Sequence, residues 1–98
     1  MDEKSLHGLI GLCVRAGHGI FGEDSCLKAL RSGQAELLLM DGDISNNSAE
    51  RYRRICQQGD IPFFTLPAGL LAKATGKPGK AMAVRTGNFS GQIKALLK

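Results

Sequence analysis

The stretch Glu36-Leu37-Leu38-Leu39-Met40 constrains the fold of this chain more than any other. A strand turns successive side chains to opposite faces, so an unbroken apolar run needs apolar cover on both sides. The loop residues Asp41-Gly42-Asp43-Ile44-Ser45 follow it directly. The run therefore predicts a short central strand, and the rest of the chain must supply a layer of helix for each face.

The flanking sequence has the periodicity to do so. Leu6, Leu9, Ile10, Cys13 and Val14 fall at i, i+3, i+4, i+7 and i+8, the stripe of an amphipathic helix that Gly17 should end. Gly8 and Gly11 weaken that helix by about 1 kcal/mol each relative to Ala, which predicts a close neighbour on their side. A short strand near His18 to Phe21 leads into a second helix from about Gly22 to Ser32, burying Cys26, Leu27 and Leu30 with Asp24, Lys28 and Arg31 outward. Ser45 or Asn47 can cap a third helix, which keeps Ala49, Tyr52 and Cys56 inward until Gly59. Residues 61–66 form the next strand, and a short fourth helix is expected to start at Pro67 and end at Gly76. After the basic turn Gly76-Lys77-Pro78-Gly79-Lys80, a strand over 81–86 precedes a last helix with Phe89, Ile93, Leu96 and Leu97 on its inner face. Alternating strands and helices predict an α/β fold, a three-layer α/β/α sandwich with a mixed sheet of about four strands. Residues 1–98 make one domain, without repeats or linkers.

Charge is unevenly spread. Residues 61–98 carry six Lys/Arg and no acid, whereas all nine Asp/Glu lie in 1–60. That segment is either a solubilising face or the electrostatic footprint of a polyanion. No apolar run approaches the ~20 residues of a membrane span. The opening MDEKSLHGL is acidic and interrupted by charge, unlike a signal peptide, so a cytoplasmic protein without membrane partners is expected. Cys13, Cys26 and Cys56 sit on helical apolar stripes, lack CxxC spacing, and read as buried hydrophobes instead of metal ligands.

Catalysis finds little support, because neither His7 nor His18 has a nucleophile or carboxylate in local register. Asp41 and Asp43 have a spacing that can hold a metal, but two acids around a glycine after a strand are more often turn formers. Gly17-His18-Gly19-Ile20-Phe21-Gly22 matches GxGxxG and has Asp41 downstream, yet it follows a helical stripe where a dinucleotide site needs a strand. What remains is electrostatic: Lys28, Arg31, Lys77 and Lys80 as candidates for backbone phosphates, beside a helix start at Gly22. Aromatic residues are few and none stands in a stacking motif, so a folded RNA fits better than a single strand.

Residues 9–17, 22–33, 36–41 and 71–80 together resemble the L7Ae/L30e ribosomal protein family, in particular its small bacterial members. The resemblance covers nearly the whole chain and implies an α/β/α sandwich that binds kink-turn RNA without cofactor, metal or catalysis. The family motif, Gly-x-Asn-Glu-x-x-Lys at the start of the second helix, falls on Gly22, Asp24, Ser25 and Lys28, so its Gly and Lys agree while its Asn and Glu do not. The resemblance also implies an RNA-contacting loop at Lys77, Pro78, Gly79 and Lys80. Two functions follow: a non-enzymatic protein binding structured RNA, ribosomal RNA included, with kink-turn specificity put in doubt by Asp24 and Ser25; or a protein-binding adaptor of the same fold without RNA affinity.

Overall fold

A computed structural model describes residues 2–97. Their elements alternate as the periodicity predicts: α1 (Glu3–Arg15), β1 (Gly19–Ile20), α2 (Glu23–Ser32), β2 (Ala35–Asp41), α3 (Asn46–Gln58), β3 (Phe63–Leu66), α4 (Leu70–Thr75), β4 (Ala81–Arg85) and α5 (Asn88–Leu97). The sheet has four strands in the order β1-β4-β2-β3, with β2 parallel to β3 and antiparallel to β4, and β1 antiparallel to β4.

The apolar run divides as strand geometry requires. Leu37 and Leu39 enter one core with Met82 and Val84 of β4, covered by Leu6 and Ile10 of α1, Leu71 of α4 and Ile93 of α5. Leu38 and Met40 enter the opposite core with Ala81 and Ala83, under Leu27 and Leu30 of α2 and Tyr52 and Cys56 of α3. Each of these strand residues is buried, and fully burying a Leu- or Met-sized side chain contributes about 1.5–3 kcal/mol, so β2 holds the two helical layers together.

Capping fixes the helix boundaries. The Asp2 carboxylate accepts from the Lys4 and Ser5 amides at the head of α1, and Ser45 Oγ accepts from the Ser48 amide at the head of α3. Of the two glycines in α1, Gly11 lies under α4, where a Cβ would stand 3.5 Å from the Ala74 carbonyl oxygen, whereas nothing approaches Gly8. The neighbour expected for both exists for one.

The fourth helix differs from expectation at its start. Pro67 lies outside it; the chain turns at Ala68 and Gly69, and α4 begins at Leu70. The cause is remote in sequence. The Asp41 carboxylate accepts from the Gly69 amide at 3.0 Å and from the Asp43 amide at 2.8 Å, so one buried acid ties both loops at this end of the sheet. Asp41 is thus a turn former. Gly42 next to it has no room for a side chain: a Cβ would stand 2.9 Å from the Leu66 carbonyl oxygen.

Candidate nucleic-acid interface

Three segments meet beyond the carboxyl end of β2. Gly22 and Glu23 at the head of α2, Asp43 to Ser45 of the β2–α3 loop, and Gly79 and Lys80 before β4 border an open cleft of about 410 Å³. Their convergence follows from topology, since β4 runs antiparallel to β2 and starts where β2 ends. The Asp41 amide donates to the Lys80 carbonyl at 2.8 Å, locking the basic loop to the central strand.

Gly22 is the N-cap of α2 at φ 88°, a conformation open to glycine and strained for other residues, and no side chain caps the helix there. The first amides of α2 therefore carry the positive end of a helix dipole that no protein oxygen neutralises through a side-chain cap. The two carboxylates that line the cleft are each met by a cation. Glu23 pairs with Arg51 of α3, and Asp43 Oδ2 lies 3.4 Å from Lys80 Nζ. Both pairs are exposed, and such pairs contribute at most about 1 kcal/mol, so an arriving anion can recruit either cation. Lys77 Nζ stands 5.3 Å from the centre of the Phe21 ring, which gives the outer arm of the loop a fixed resting place.

The nine residues singled out in the sequence separate into four places. Gly22, Gly79 and Lys80 share the cleft. Ser25 and Lys28 line a neighbouring groove against β1. Asp24, Lys77 and Pro78 are exposed beside these two depressions. Arg31, two helical turns beyond Asp24 and so about 10 Å along the axis, faces α3 and the start of β2 instead. The structure does not bring Arg31 to the cleft. Among the described residues the ion pairs do not include Asp24 with Lys28, so the local pairing available at that spacing is not made.

Several participants have little or no local sequence signal. Phe21, Arg51 and Arg85 reach the site through contacts with elements remote in the chain; only Arg85 belongs to the acid-free segment that charge alone marks out. The dinucleotide reading of residues 17–22 fails on context, because α1 and not a strand runs into Gly17.

The remaining reactive groups are packing groups. Burial pushes the Cys13 and Cys56 thiols up to about 11 and raises that of Cys26, whose Sγ donates to the Ile20 carbonyl at 3.1 Å. Burial likewise raises the Tyr52 phenol behind the cleft. Among the described residues no group of three or more His, Cys, Asp or Glu side chains is placed to hold a metal ion, and no helix is long and apolar enough to cross a membrane.

Residues 4–94 match the ribosomal protein L7Ae/L30e/S12e/Gadd45 family. The chain is 30% identical over 91 residues to the RNA-binding protein YlxQ of Bacillus subtilis (strain 168), covering 91% of each, and 28% identical over 98 residues to a protein of the same name from Enterococcus faecium, covering 99% of this chain and 95% of that one. Among solved structures, a Bacillus halodurans C protein of unknown function superimposes with a TM-score of 0.87 at 26% identity, over 94% of this chain and 95% of that one. The Giardia lamblia 15.5kD RNA binding protein superimposes with a TM-score of 0.79 over 99% of this chain and 85% of its own, and its 16% identity makes this a similarity of fold alone.

Proposed function

The chain belongs to the ribosomal protein L7Ae/L30e/S12e/Gadd45 family, and from that premise we propose that it is a non-enzymatic protein binding structured RNA, ribosomal RNA being one such partner. The observation that carries this reading is the meeting of the uncapped head of α2 with Gly79 and Lys80 in a single cleft. A helix start offers backbone amides to an anion, the lysines supply mobile charge, and Gly22 lets a nucleotide approach the backbone. The relatives named RNA-binding proteins support the same class of partner.

Specificity is the finer part of the proposal. Where the family motif has Asn and Glu, Asp24 and Ser25 stand exposed on the first turn of α2. Asp accepts but does not donate, and Ser is too short to reach as Glu does, so two base-edge contacts are weakened. The protein therefore binds RNA with a reduced preference for standard kink-turns. A gel shift against total cellular RNA at two salt concentrations tests the class of partner. Binding that falls steeply with salt is expected, because each neutralised phosphate releases counterions. No shift even at low salt would leave the adaptor reading in its place.

A further inference from the structure

Resting on the RNA-binding reading, we propose that the groove alongside β1 is a second phosphate-binding track, with Arg85 as its principal new cation, which carries the RNA strand onward from the cleft past Phe21. The groove holds about 400 Å³ and is lined by Phe21, Ser25, Lys28, Ala29, Gln34 and Arg85, together with the two residues of β1.

The sequence places Arg85 there through strand geometry. Ala81 and Ala83 of β4 face the α2 layer, and by the alternation of a strand Arg85 is the next residue on that side. Val84 pairs with Gly19 and the Arg85 amide donates to the His18 carbonyl at 2.9 Å, so Arg85 stands at the end of the β1–β4 ladder and lines one groove with Lys28 of α2. Its Nε donates to the Gly17 carbonyl at 3.2 Å, which holds the guanidinium in position and leaves its terminal N–H groups for another acceptor. Among the described residues no carboxylate pairs with either Arg85 or Lys28.

The contrast with the cleft is chemical. There each lining carboxylate has a cation against it, whereas the β1 groove contains two cations and no carboxylate at all. Its lining includes the small, buried Ala29, and its remaining polar side chains, Ser25 and Gln34, are neutral donors suited to phosphate and ribose oxygens. Phe21 connects the groove to the basic loop: it lines the groove, lies under the Lys77 ammonium, and stands 3.9 Å from where a Cβ on Gly79 of the cleft would be. Lys80, Lys77, Lys28 and Arg85 thus follow one path around the head of α2, and a phosphate backbone is the polyanion with charges spaced along such a path.

The test is filter binding of bulk ribosomal RNA by the native chain, R85Q, R85K and Q34K across about 50–200 mM KCl. Arg85→Gln keeps a donor for the Gly17 carbonyl and removes the charge. It should weaken binding roughly three- to tenfold at low salt and reduce the slope of log affinity against log salt by about 0.7–0.9, the contribution of one phosphate. Arg85→Lys should restore the slope, and Gln34→Lys, which adds a cation to the same groove and leaves Arg85 intact, should steepen it. A native chain that binds with a steep slope that neither R85Q nor Q34K alters would overturn the track while leaving the RNA-binding reading standing. A native chain that binds no RNA at low salt would overturn that reading and the track with it. If R85Q does not fold, the Q34K slope decides.

Discussion

Replacing Asp41 by Ala should destabilise the protein far more than removing any other carboxylate among the described residues, and the structure sets the size of the effect. Asp41 is 1% exposed and accepts from the Asp43 amide at 2.8 Å and the Gly69 amide at 3.0 Å. Hydrogen bonds to a charged acceptor contribute about 1.5–3 kcal/mol each, and alanine leaves both amides without that acceptor. Water reaching the vacated site recovers part of the loss, so a net destabilisation of about 3 kcal/mol is expected, and about half of that for Asp41→Asn, which keeps one carbonyl oxygen. In a domain of this size each kcal/mol moves the thermal midpoint by about 4–8 °C, so Asp41→Ala should melt about 12–24 °C lower. Urea unfolding followed by circular dichroism gives the free energy directly. A loss below about 0.5 kcal/mol, the usual range for surface positions, would refute the account of Asp41 as the tie between the β2–α3 loop and the head of α4.

The double substitution Asp24→Asn with Ser25→Glu should raise affinity for a standard kink-turn RNA at least roughly tenfold, about 1.4 kcal/mol, in an electrophoretic titration; no gain by a folded variant would show that these two positions do not face the RNA. Hydrogen bonds from Ser90 and the Gly87 amide hold the Glu36 carboxyl below its ordinary value of 4.5. A lowered folded-state value contributes stability above the unfolded value that is lost as pH falls through the folded one. The gap in thermal midpoint between the native chain and Ser90→Ala should therefore be full at neutral pH and narrow below about pH 4.5; a gap that is the same at every pH would assign the whole effect to packing.

The layers of the fold are legible in the chain, and the closure of its loops is not. Leu37 to Met40 demand two apolar faces, and the period of 3.6 in α1, α2 and α3 supplies them, because both signals arise from neighbouring residues. The head of α4 escapes this logic, since Gly69 is held by a carboxylate 28 positions earlier and local sequence favours Pro67 as the helix start. The candidate site divides along the same line. Charge counting finds Lys77 and Lys80, and the family motif points to Gly22 and Lys28, but helical spacing alone also promotes Arg31, which the third dimension carries away from the cleft. Partners that join through long-range contact, Arg51 against Glu23 and Phe21 under Lys77, leave no pattern in the residues next to them.

The central claim, that RNA is held where the head of α2 meets the basic loop, is tested most directly by moving equal amounts of charge from two places. Lys77→Ala with Lys80→Ala removes the basic loop's two cations, one lining the cleft and one over Phe21 beside it, and Arg31→Ala with Lys94→Ala removes two from a groove at the opposite end of α2. Measured by filter binding across a salt series, the first pair should lose about ten- to a hundredfold in affinity and about 1.4–1.8 in salt slope, while the second stays within about threefold of the native chain. Equal losses from both pairs, or a larger loss from Arg31 and Lys94, would contradict the placement of the RNA site.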